Sequence, residues 1–332
     1  QKKMNLSECT TIIVGGDLTG DGSRIYARSE DFDAMRCKNW LVFPETENGP
    51  EEFVADDSAF RCPLPKKRFG YTALPDYQYH HEWGSAGFNT AGVGESSTET
   101  IFSSPEALKN DPYVADGLAE NCTYNTVLPY VSTAREGVER LGAMIEKYGS
   151  AEGFGIGFID NKETWYLENA CGHHWLACRI PNDKYFVTGN QSRFRDYDPN
   201  DKENFLADSR LLSYAEENGL WDPSEKFDFH KAYSKDDIAD HTYNYTRVWG
   251  LQGLFTPSMK QNVDINNFPV YAVPDSGHIG IAELRKAFRF HYDGTDHDPY
   301  LHNNGKEPWR PVSIFRTTQT HLLQARPRLP EA

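Results

Sequence analysis

The sequence has no apolar run of about 18 residues, the shortest length that predicts a transmembrane helix. Positive charge is also scarce. The 34 Lys and Arg residues are outnumbered by 49 Asp and Glu residues, which gives a net charge of −15. A chain this acidic is a poor partner for a nucleic-acid backbone or an anionic membrane surface. We therefore expect it to bind neither nucleic acid nor membrane.

Cysteine is sparse too, with six residues in 332. Disulfide-built domains are short and dense in cysteine, so most thiols here are expected to be free and buried. Near the N-terminus, residues 4–8 are too few and too polar for the apolar region of a secretory signal. Together these features favour a cytoplasmic protein.

Motifs for nucleotides and for zinc proteases are missing: there is no G-x-G-x-x-G, no P-loop and no H-E-x-x-H. One Cys and His cluster occurs, at Cys171, His173, His174 and Cys178. Zinc binds such side chains, but in an extended segment Cys171 and His173 would share one face, and His174 and Cys178 the other. Two ligands on each face make a poor zinc site, so we expect no metal and no cofactor.

The pattern of helices and strands predicts an α+β fold. Apolar residues at helical spacing predict a helix over residues 134–148, closed by a glycine. Strands are predicted over 154–159, 164–167, 174–180 and 185–188, and further helices over 210–217 and 281–291. Consecutive short strands with segregated helices indicate antiparallel sheets rather than a βαβ repeat. The proline-rich residues 33–80 are typical of loops that wall a binding site.

The most informative segment lies near the N-terminus, where Cys9 opens a β-branched run at residues 10–14. A glycine-rich turn at 15–22 and a returning strand at 24–28 predict an antiparallel hairpin. If the peptide bond before Cys9 is cut, that residue carries both a thiol and an α-amine with a pKa of about 8. Nucleophile and base then share one residue, as in N-terminal-nucleophile catalysis. On spacing alone, a cysteine that opens a strand is more often a small buried hydrophobe.

This segment resembles the opening of the C69 family dipeptidases, which are N-terminal-nucleophile hydrolases. The residues that carry the likeness are Cys9-Thr10-Thr11-Ile12, Asp21-Gly22-Ser23 and Ala27-Arg28-Ser29-Glu30-Asp31. The likeness continues in order along almost the whole chain, in Trp83-Gly84-Ser85-Ala86-Gly87-Phe88-Asn89, Ser97-Thr98-Glu99-Thr100, Glu146-Lys147-Tyr148-Gly149, Trp165-Tyr166-Leu167-Glu168, Gly172-His173-His174-Trp175, Trp309-Arg310-Pro311 and His321-Leu322-Leu323-Gln324.

The resemblance implies a four-layer αββα sandwich, in which two antiparallel sheets lie between helical layers. It also implies dipeptide hydrolysis, with Cys9 forming an acyl-enzyme while its α-amine transfers the proton. Residues 1–8 would be a leader, removed by self-cleavage between Glu8 and Cys9. Residues 9–332 would be the hydrolase domain, without the C-terminal part that family members usually have. In the uncut chain we expect Glu8 to lie across the pocket entrance near Arg28.

The resemblance further implies roles for four residues around Cys9. Arg28 would orient the thiolate and lower its pKa, and Asp31 would hold the Cys9 amine. Asn190 would help to form the oxyanion hole, and Arg247 would be a second active-site arginine. Without the resemblance, each residue also has an ordinary structural interpretation. Arg28 could be a surface arginine and Asp31 a turn aspartate, and Asn190 could cap its strand while Arg247 forms a surface contact or an ion pair.

Two alternatives to a dipeptidase stay open. An amidase that acts on acylated amino acids or bile-salt conjugates would use the same mechanism, because the loops that set specificity are not readable from the sequence. A catalytically silent relative would keep its leader and act as a binding or structural protein. The expected partners are dipeptide substrates, and the sequence leaves the oligomeric state open, a homo-oligomer included.

Overall fold

The structure, a computed structural model, describes residues 8–77, 82–301 and 308–328. Its strands are, in chain order, β1 (Glu8–Val14), β2 (Arg24–Asp31), β3 (Leu41–Phe43), β4 (Glu52–Val54), β5 (Arg61–Pro63), β6 (Tyr71–Ala73), β7 (Ala86–Phe88), β8 (Gly94–Thr100), β9 (Phe154–Ile159), β10 (Thr164–Asn169), β11 (Trp175–Arg179), β12 (Tyr185–Thr188), β13 (Phe205–Ala207), β14 (Tyr271–Ala272) and β15 (Thr317–Ala325).

The helices are α1 (Pro105–Leu108), α2 (Glu120–Val127), α3 (Ala134–Tyr148), α4 (Leu211–Glu217), α5 (Phe229–Tyr233), α6 (Ile238–Asp240), α7 (Thr246–Phe255) and α8 (Ile281–Ala287). A π-helical segment, His241–Tyr245, runs directly into α7. Short 3-10 turns lie at Gly16–Leu18 and Leu128–Tyr130. Among the helices of the described residues, none has the length and apolar character needed to cross a membrane.

Antiparallel pairing builds two main sheets from these strands. One has the order β14-β12-β1-β2-β15, and the other has the order β13-β11-β10-β9-β8-β7. Two small sheets, β3-β6 and β4-β5, lie in the loop-rich region between β2 and β7. The structure therefore confirms the coarse prediction of helices combined with several antiparallel sheets.

The predicted N-terminal hairpin forms, and every residue of β1 pairs with β2, from Glu8 opposite Asp31 to Val14 opposite Ile25. The β-branched residues of β1 favour extended backbone, and Gly22 takes a φ of 73° in the connecting turn. β1 lies in the middle of its sheet, between β12 and β2, and all seven of its residues are buried. The strand that carries Cys9 is therefore inside the molecule rather than at an edge.

The predicted strands β9, β10 and β11 pair in sequence, but β12 departs from the predicted series of hairpins. β12 does not pair with β11 in the second sheet but belongs to the first sheet, where it pairs with β1 and Thr188 lies opposite Thr11. β11 also begins at Trp175, because residues 170–174 form a turn. Local periodicity identifies a strand and says nothing about its partner, which is why this crossover was not predicted.

The helix predicted over residues 134–148 forms with those bounds. The Thr133 side chain caps its first turn, and Gly149, at a φ of 72°, ends it. α4 lies within the predicted range 210–217, whereas α8 ends at Ala287, four residues before the predicted end at 291. Beyond Ala287 the chain turns, and Phe290 packs edge-on against Tyr292.

The two main sheets pack against each other and against helices. Tyr26 on β2 and Tyr166 on β10 belong to one buried cluster between the sheets, with ring centroids 6.5 Å apart. A second cluster joins Ile12 on β1 to Leu251 on α7. A third joins α3 to β9 and β10 of the second sheet. The hairpin that bears Cys9 is therefore fixed from both of its faces.

Candidate active site

Cys9 is the second residue of β1, and its side chain is fully buried. The β1–β2 register places Cys9 opposite Glu30, and Thr11 opposite Arg28. Residues two apart on a strand share a face, so Arg28 is the diagonal cross-strand neighbour of Cys9. The Arg28 Nη1 atom lies 3.1 Å from the Cys9 Sγ atom. The hairpin register thus brings the two predicted residues into contact.

Acceptors around the Arg28 guanidinium group hold it in place. Its Nε–H donates to Ser96 Oγ at 3.0 Å, and its Nη1–H donates to the Thr98 carbonyl oxygen at 3.0 Å. Its Nη2–H donates to the Ser85 carbonyl oxygen at 3.3 Å, and the Glu30 carboxylate lies 3.7 Å away. A buried cation is stable only with such partners. They also keep the guanidinium group directed at the thiol.

The Cys9 thiol is buried among charged groups that act on its pKa in opposite directions. Burial raises the pKa of the thiol well above its ordinary value, and the positive charge of Arg28 opposes the rise without cancelling it. The carboxylates of Glu99 and Glu30 add to the rise. A nucleophilic sulfur at this position therefore needs either access to solvent or a nearby base that accepts its proton.

Asp31 lies opposite Glu8, on the face of the sheet that the Cys9 side chain does not occupy. Its carboxylate accepts a hydrogen bond from Arg310 Nη2 at 2.6 Å and another from Thr317 Oγ1 at 2.6 Å. Thr317 begins β15, the strand that pairs with β2. Asp31 is therefore beside the backbone at residues 8 and 9 rather than beside the thiol. Sequence reasoning missed both of its partners, although Arg310 lies in one of the stretches that carry the resemblance.

Arg247, on α7, contacts the backbone of Cys9. Its Nη1–H donates to the Cys9 carbonyl oxygen at 2.6 Å and to Thr10 Oγ1 at 3.0 Å. Its Nη2–H donates to Asn190 Oδ1 at 2.7 Å. Two buried arginines therefore hold Cys9, with Arg28 at the sulfur and Arg247 at the carbonyl group.

Asn190 follows the end of β12 and is buried in a network of hydrogen bonds. Its backbone N–H donates to Asn244 Oδ1 at 2.8 Å, and its side-chain Nδ2 donates to the Thr100 carbonyl oxygen at 3.0 Å. An amide nitrogen carries two hydrogens, so one is engaged by Thr100 and one remains. An oxyanion hole needs a fixed donor with a free hydrogen, and the bond from Arg247 to Asn190 Oδ1 fixes this side chain.

Glu99, on β8, is a buried carboxyl group near Cys9 to which the sequence analysis assigned no role. Its Oε2 accepts a hydrogen bond from Thr11 Oγ1 at 2.7 Å, and its Oε1 has no hydrogen-bond partner among the described residues. Burial raises the pKa of Glu99 to about 8, although Arg247 acts in the opposite direction. Burial likewise lowers the pKa of Arg247 to about 9. The signal for Glu99 in the sequence was its place in one of the stretches that carry the resemblance.

A small cleft opens beside Arg28. Its lining residues are Arg28, Glu30, Trp83, Ser85, Ser97, Thr98 and Glu120. Trp83 and Ser85 have φ angles of 55° and 59°, in the left-handed region that costs energy for residues other than glycine. Between them, Gly84 packs so tightly that a Cβ atom would lie 1.9 Å from a ring carbon of Tyr124. Packing therefore imposes the shape of this segment, which forms one wall of the cleft.

Glu8 is buried and forms an ion pair with Arg316. Residues 8 and 28 lie on opposite faces of the hairpin, since Glu8 is opposite Asp31 and Thr11 is opposite Arg28. The prediction that Glu8 lies near Arg28 is therefore wrong, because the alternation of side chains along β1 turns it to the other face. The rest of the predicted leader, residues 1–7, lies outside the described residues.

A strand-opening cysteine with a buried arginine against its sulfur defines the class of the site, a candidate thiol hydrolase centre. Sequence comparison gives the family. The model of Peptidase family C69 matches residues 8–332 of the chain. A probable dipeptidase from Salmonella dublin is 47% identical over 328 residues, which cover 98% of this chain and 76% of that protein. The chain belongs to peptidase family C69, which confirms the family predicted from its sequence.

More distant relatives carry similar names. A probable dipeptidase from Latilactobacillus sakei is 34% identical, with 99% of this chain and 70% of the relative aligned. A dipeptidase from Bifidobacterium longum is 33% identical, with 98% of this chain and 67% of the relative aligned. Among solved structures, a variant of a conjugated bile acid hydrolase from Clostridium perfringens aligns with 95% of this chain and 92% of its own, at 12% identity and a TM-score of 0.34. A likeness at that level defines neither the arrangement of layers nor the site.

Proposed function

We propose that this chain is a dipeptidase whose nucleophile is the Cys9 thiol, acting after residues 1–8 have been removed. The observation that carries the proposal is the 3.1 Å contact between Arg28 Nη1 and the Sγ atom of Cys9, the second residue of a central strand. The substrate class rests on the relatives that are named probable dipeptidases.

In the proposed reaction, the Cys9 sulfur attacks the scissile carbonyl carbon and a carbon–sulfur bond forms. The thiol proton passes to the free α-amine of Cys9 and then to the leaving nitrogen, whose bond to carbon breaks. Water next attacks the thioester, the carbon–sulfur bond breaks, and the thiol regains a proton. An α-amine has a pKa of about 8, so an appreciable fraction is unprotonated near neutral pH and can accept this proton.

Each neighbour of Cys9 has a role in this scheme. Arg28 stabilises the thiolate once the site is open to solvent, and Asp31 pairs with the protonated α-amine. Asn190 donates its remaining N–H to the developing oxyanion, and Arg247 holds both Asn190 and the Cys9 carbonyl group.

We infer that the leader is removed by the same thiol. The Cys9 sulfur attacks the carbonyl carbon of residue 8, the carbon–nitrogen bond breaks, and the nitrogen takes up the thiol proton to become the new α-amine. Water then hydrolyses the thioester, which breaks the carbon–sulfur bond and returns a proton to the sulfur. The chain itself holds nucleophile and target bond together, which replaces a separate protease. Before the cut Cys9 has no free amine, so the uncut chain should be inactive. Residues 9–332 then form the hydrolase domain.

The layer order that we infer is αββα. Contact between Tyr26 and Tyr166 supports stacking of the two sheets. The packing of α7 against the first sheet and of α3 against the second supports a helical layer on each outer face.

We place the protein in the cytoplasm, because its six cysteines are all free. Free thiols persist in reducing compartments, whereas the thiols of secreted proteins tend to be oxidised to disulfides.

Intact-mass spectrometry in parallel with dipeptide hydrolysis tests the proposal. Wild type should lose eight residues and gain activity in step, and Cys9→Ala should do neither. Cys62→Ala is the matched control, because Cys62 is a buried thiol in the cluster that joins α3 to the second sheet, and its removal should leave both events unchanged. Full activity in an uncut wild-type chain would remove the α-amine from the mechanism and refute the proposal.

The same assay separates the alternatives through its substrate panel of dipeptides, N-acylated amino acids and a conjugated bile salt. Hydrolysis of acylated amino acids or the bile salt without dipeptides would identify an amidase. A stable uncut chain without any hydrolysis would identify a silent relative.

A further inference from the structure

We propose that Asp111, Cys171 and His174 bind one divalent cation of the zinc class, and that Asp208 orients His174 toward it. Cys171 and His174 lie in the turn before β11, Asp111 follows α1 and Asp208 follows β13. β11 and β13 belong to the second sheet, whereas the hairpin that carries Cys9 belongs to the first. The proposal is independent of the proposed peptidase function.

The turn brings together donors that an extended segment would separate. Residues 170–174 are not part of a strand, so the alternation argument against a zinc site does not apply to them. One ligand atom from each of Asp111, Cys171 and His174 lies within 4.8 Å of the others. The Cys171 Sγ atom is 3.1 Å from Asp111 Oδ2, and His174 Nε2 is 3.9 Å from the same oxygen.

These separations are close to the distances between ligand atoms in a tetrahedral zinc site. Bonds of about 2.0–2.3 Å at tetrahedral angles place neighbouring ligand atoms about 3.3–3.6 Å apart. The sulfur–oxygen and nitrogen–oxygen pairs therefore each differ from a bound geometry by roughly half an ångström. Three protein donors leave the fourth position for water.

The His174 ring is already oriented for this role. The Asp208 carboxylate accepts hydrogen bonds from the backbone N–H groups of Trp175 and Arg210 and lies 2.7 Å from His174 Nδ1. Because Asp208 acts as an acceptor, Nδ1 carries the hydrogen and Nε2 keeps its lone pair. A carboxylate behind a ligating histidine is the usual outer support of zinc sites. Tyr214 packs on the same ring at a centroid distance of 4.4 Å.

Asp111 and Cys171 are held just as firmly. Asp111 accepts hydrogen bonds from the backbone N–H of His173 at 2.6 Å and from its ring Nδ1 at 2.7 Å. Without a metal, the fully buried Cys171 thiol donates to the Asp111 carboxylate. On binding, a metal–sulfur bond would form and the thiol proton would pass to buffer, so affinity should rise with pH. A thiolate, an imidazole nitrogen and a carboxylate oxygen together form a donor set that suits zinc.

Metal titration of the chelator-treated full-length chain tests the proposal. The titration is done in a Cys9→Ala background, which removes the active-site thiol as a competing ligand. We expect one Zn²⁺ per chain by calorimetry, and a thiolate-to-metal charge-transfer band with Co²⁺. Saturation at about 100 times Kd should raise Tm by about 4 °C.

Variants then assign the ligands. Cys171→Ser and His174→Gln should each weaken binding at least about 100-fold, and Asp208→Asn about 10- to 100-fold. Cys178→Ser, a buried thiol on β11 outside the cluster, should bind like the background chain.

No binding at one Zn²⁺ per chain, no thiolate band with Co²⁺, or binding that survives both ligand variants would overturn the proposal. If Cys171→Ser does not fold, the Co²⁺ band of the background chain and the His174→Gln titration decide the question.

Discussion

Removing the charge of Arg28 while keeping a hydrogen-bonding side chain should raise the pKa of the Cys9 thiol in the cleaved protein. Arg28→Gln makes this change, because glutamine keeps an amide donor for the carbonyl groups that now hold the guanidinium. The cation lies at hydrogen-bond distance from the sulfur, with Nη1 3.1 Å from Sγ. The variant therefore measures what the charge contributes.

The size of the effect follows from Coulomb's law. Unit charges about 4 Å apart at an effective dielectric constant of about 20 attract by about 4 kcal/mol. One pKa unit corresponds to about 1.4 kcal/mol, so the charge lowers the thiol pKa by at most about 3 units. A higher thiol pKa lowers the fraction of thiolate at neutral pH, but it also makes each thiolate more nucleophilic. The second effect offsets about half of the first on a logarithmic scale. We expect kcat/KM near neutral pH to fall by about 10- to 50-fold.

The direct assay is the pH dependence of iodoacetamide alkylation of Cys9 in the cleaved enzyme, with the modified residue identified by mass spectrometry. Arg28→Gln should shift the alkylation pKa upward by about 2–3 units, and Arg28→Lys should shift it less because the charge remains. Arg24→Gln is the matched control. Arg24 lies on the same strand and is buried, but it hydrogen-bonds to Asn161 and Asn182. An unchanged alkylation pKa in folded Arg28→Gln would refute the reasoning.

Gly84→Ala should destabilise the fold by about 1–3 kcal/mol in urea denaturation, because its Cβ would meet the Tyr124 ring, whereas Gly253→Ala, in open space on α7, should be neutral or slightly stabilising. Burial raises the folded-state pKa of Glu99 from 4.5 to about 8, so the folded chain keeps a proton that the unfolded chain releases, and this contribution to stability is lost as pH rises through that window. Glu99→Gln should flatten this fall in thermal unfolding at several pH values, and a slope equal to wild type would contradict the argument. His173→Ala should leave the acidic limb of the kcat/KM profile in place, at a pKa of about 8 or below, and its disappearance would assign the base to a histidine.

Elements whose signals are local were predictable. Helix α3 has apolar residues at helical spacing and a glycine at its end, and it forms with the predicted bounds. The β1–β2 hairpin has a β-branched run and a glycine-rich turn, and its register alone sets Arg28 beside Cys9. Helix α7 gave no such signal, because buried residues that include Thr246, Arg247 and Gly250 leave no clean apolar stripe.

Features that depend on distant pairing were not predictable. Asp31 is held by Arg310, which is 279 residues away, and Thr11 bonds to Glu99 across 88 residues. Spacing within one strand says which residues share a face and nothing about what will cover that face. At Glu8 the expectation of Arg28 as a neighbour was wrong, because alternation along β1 turns the Glu8 side chain to the other face, where it pairs with Arg316.

The position of β1 in its sheet determines when the site can fold during synthesis of the chain. β1 pairs with β12 on one side and with β2 on the other, and the far edge of β2 pairs with β15. The N-terminal hairpin therefore lies beside some of the last residues of the described chain. Strands that are far apart in the sequence pair late in folding, because closing the long loop between them costs entropy before any stabilising contact forms. While the ribosome is still adding residues, Asp31 has neither Arg310 nor Thr317. The surroundings of Cys9 are therefore completed only after the segment through Ala325 has left the ribosome.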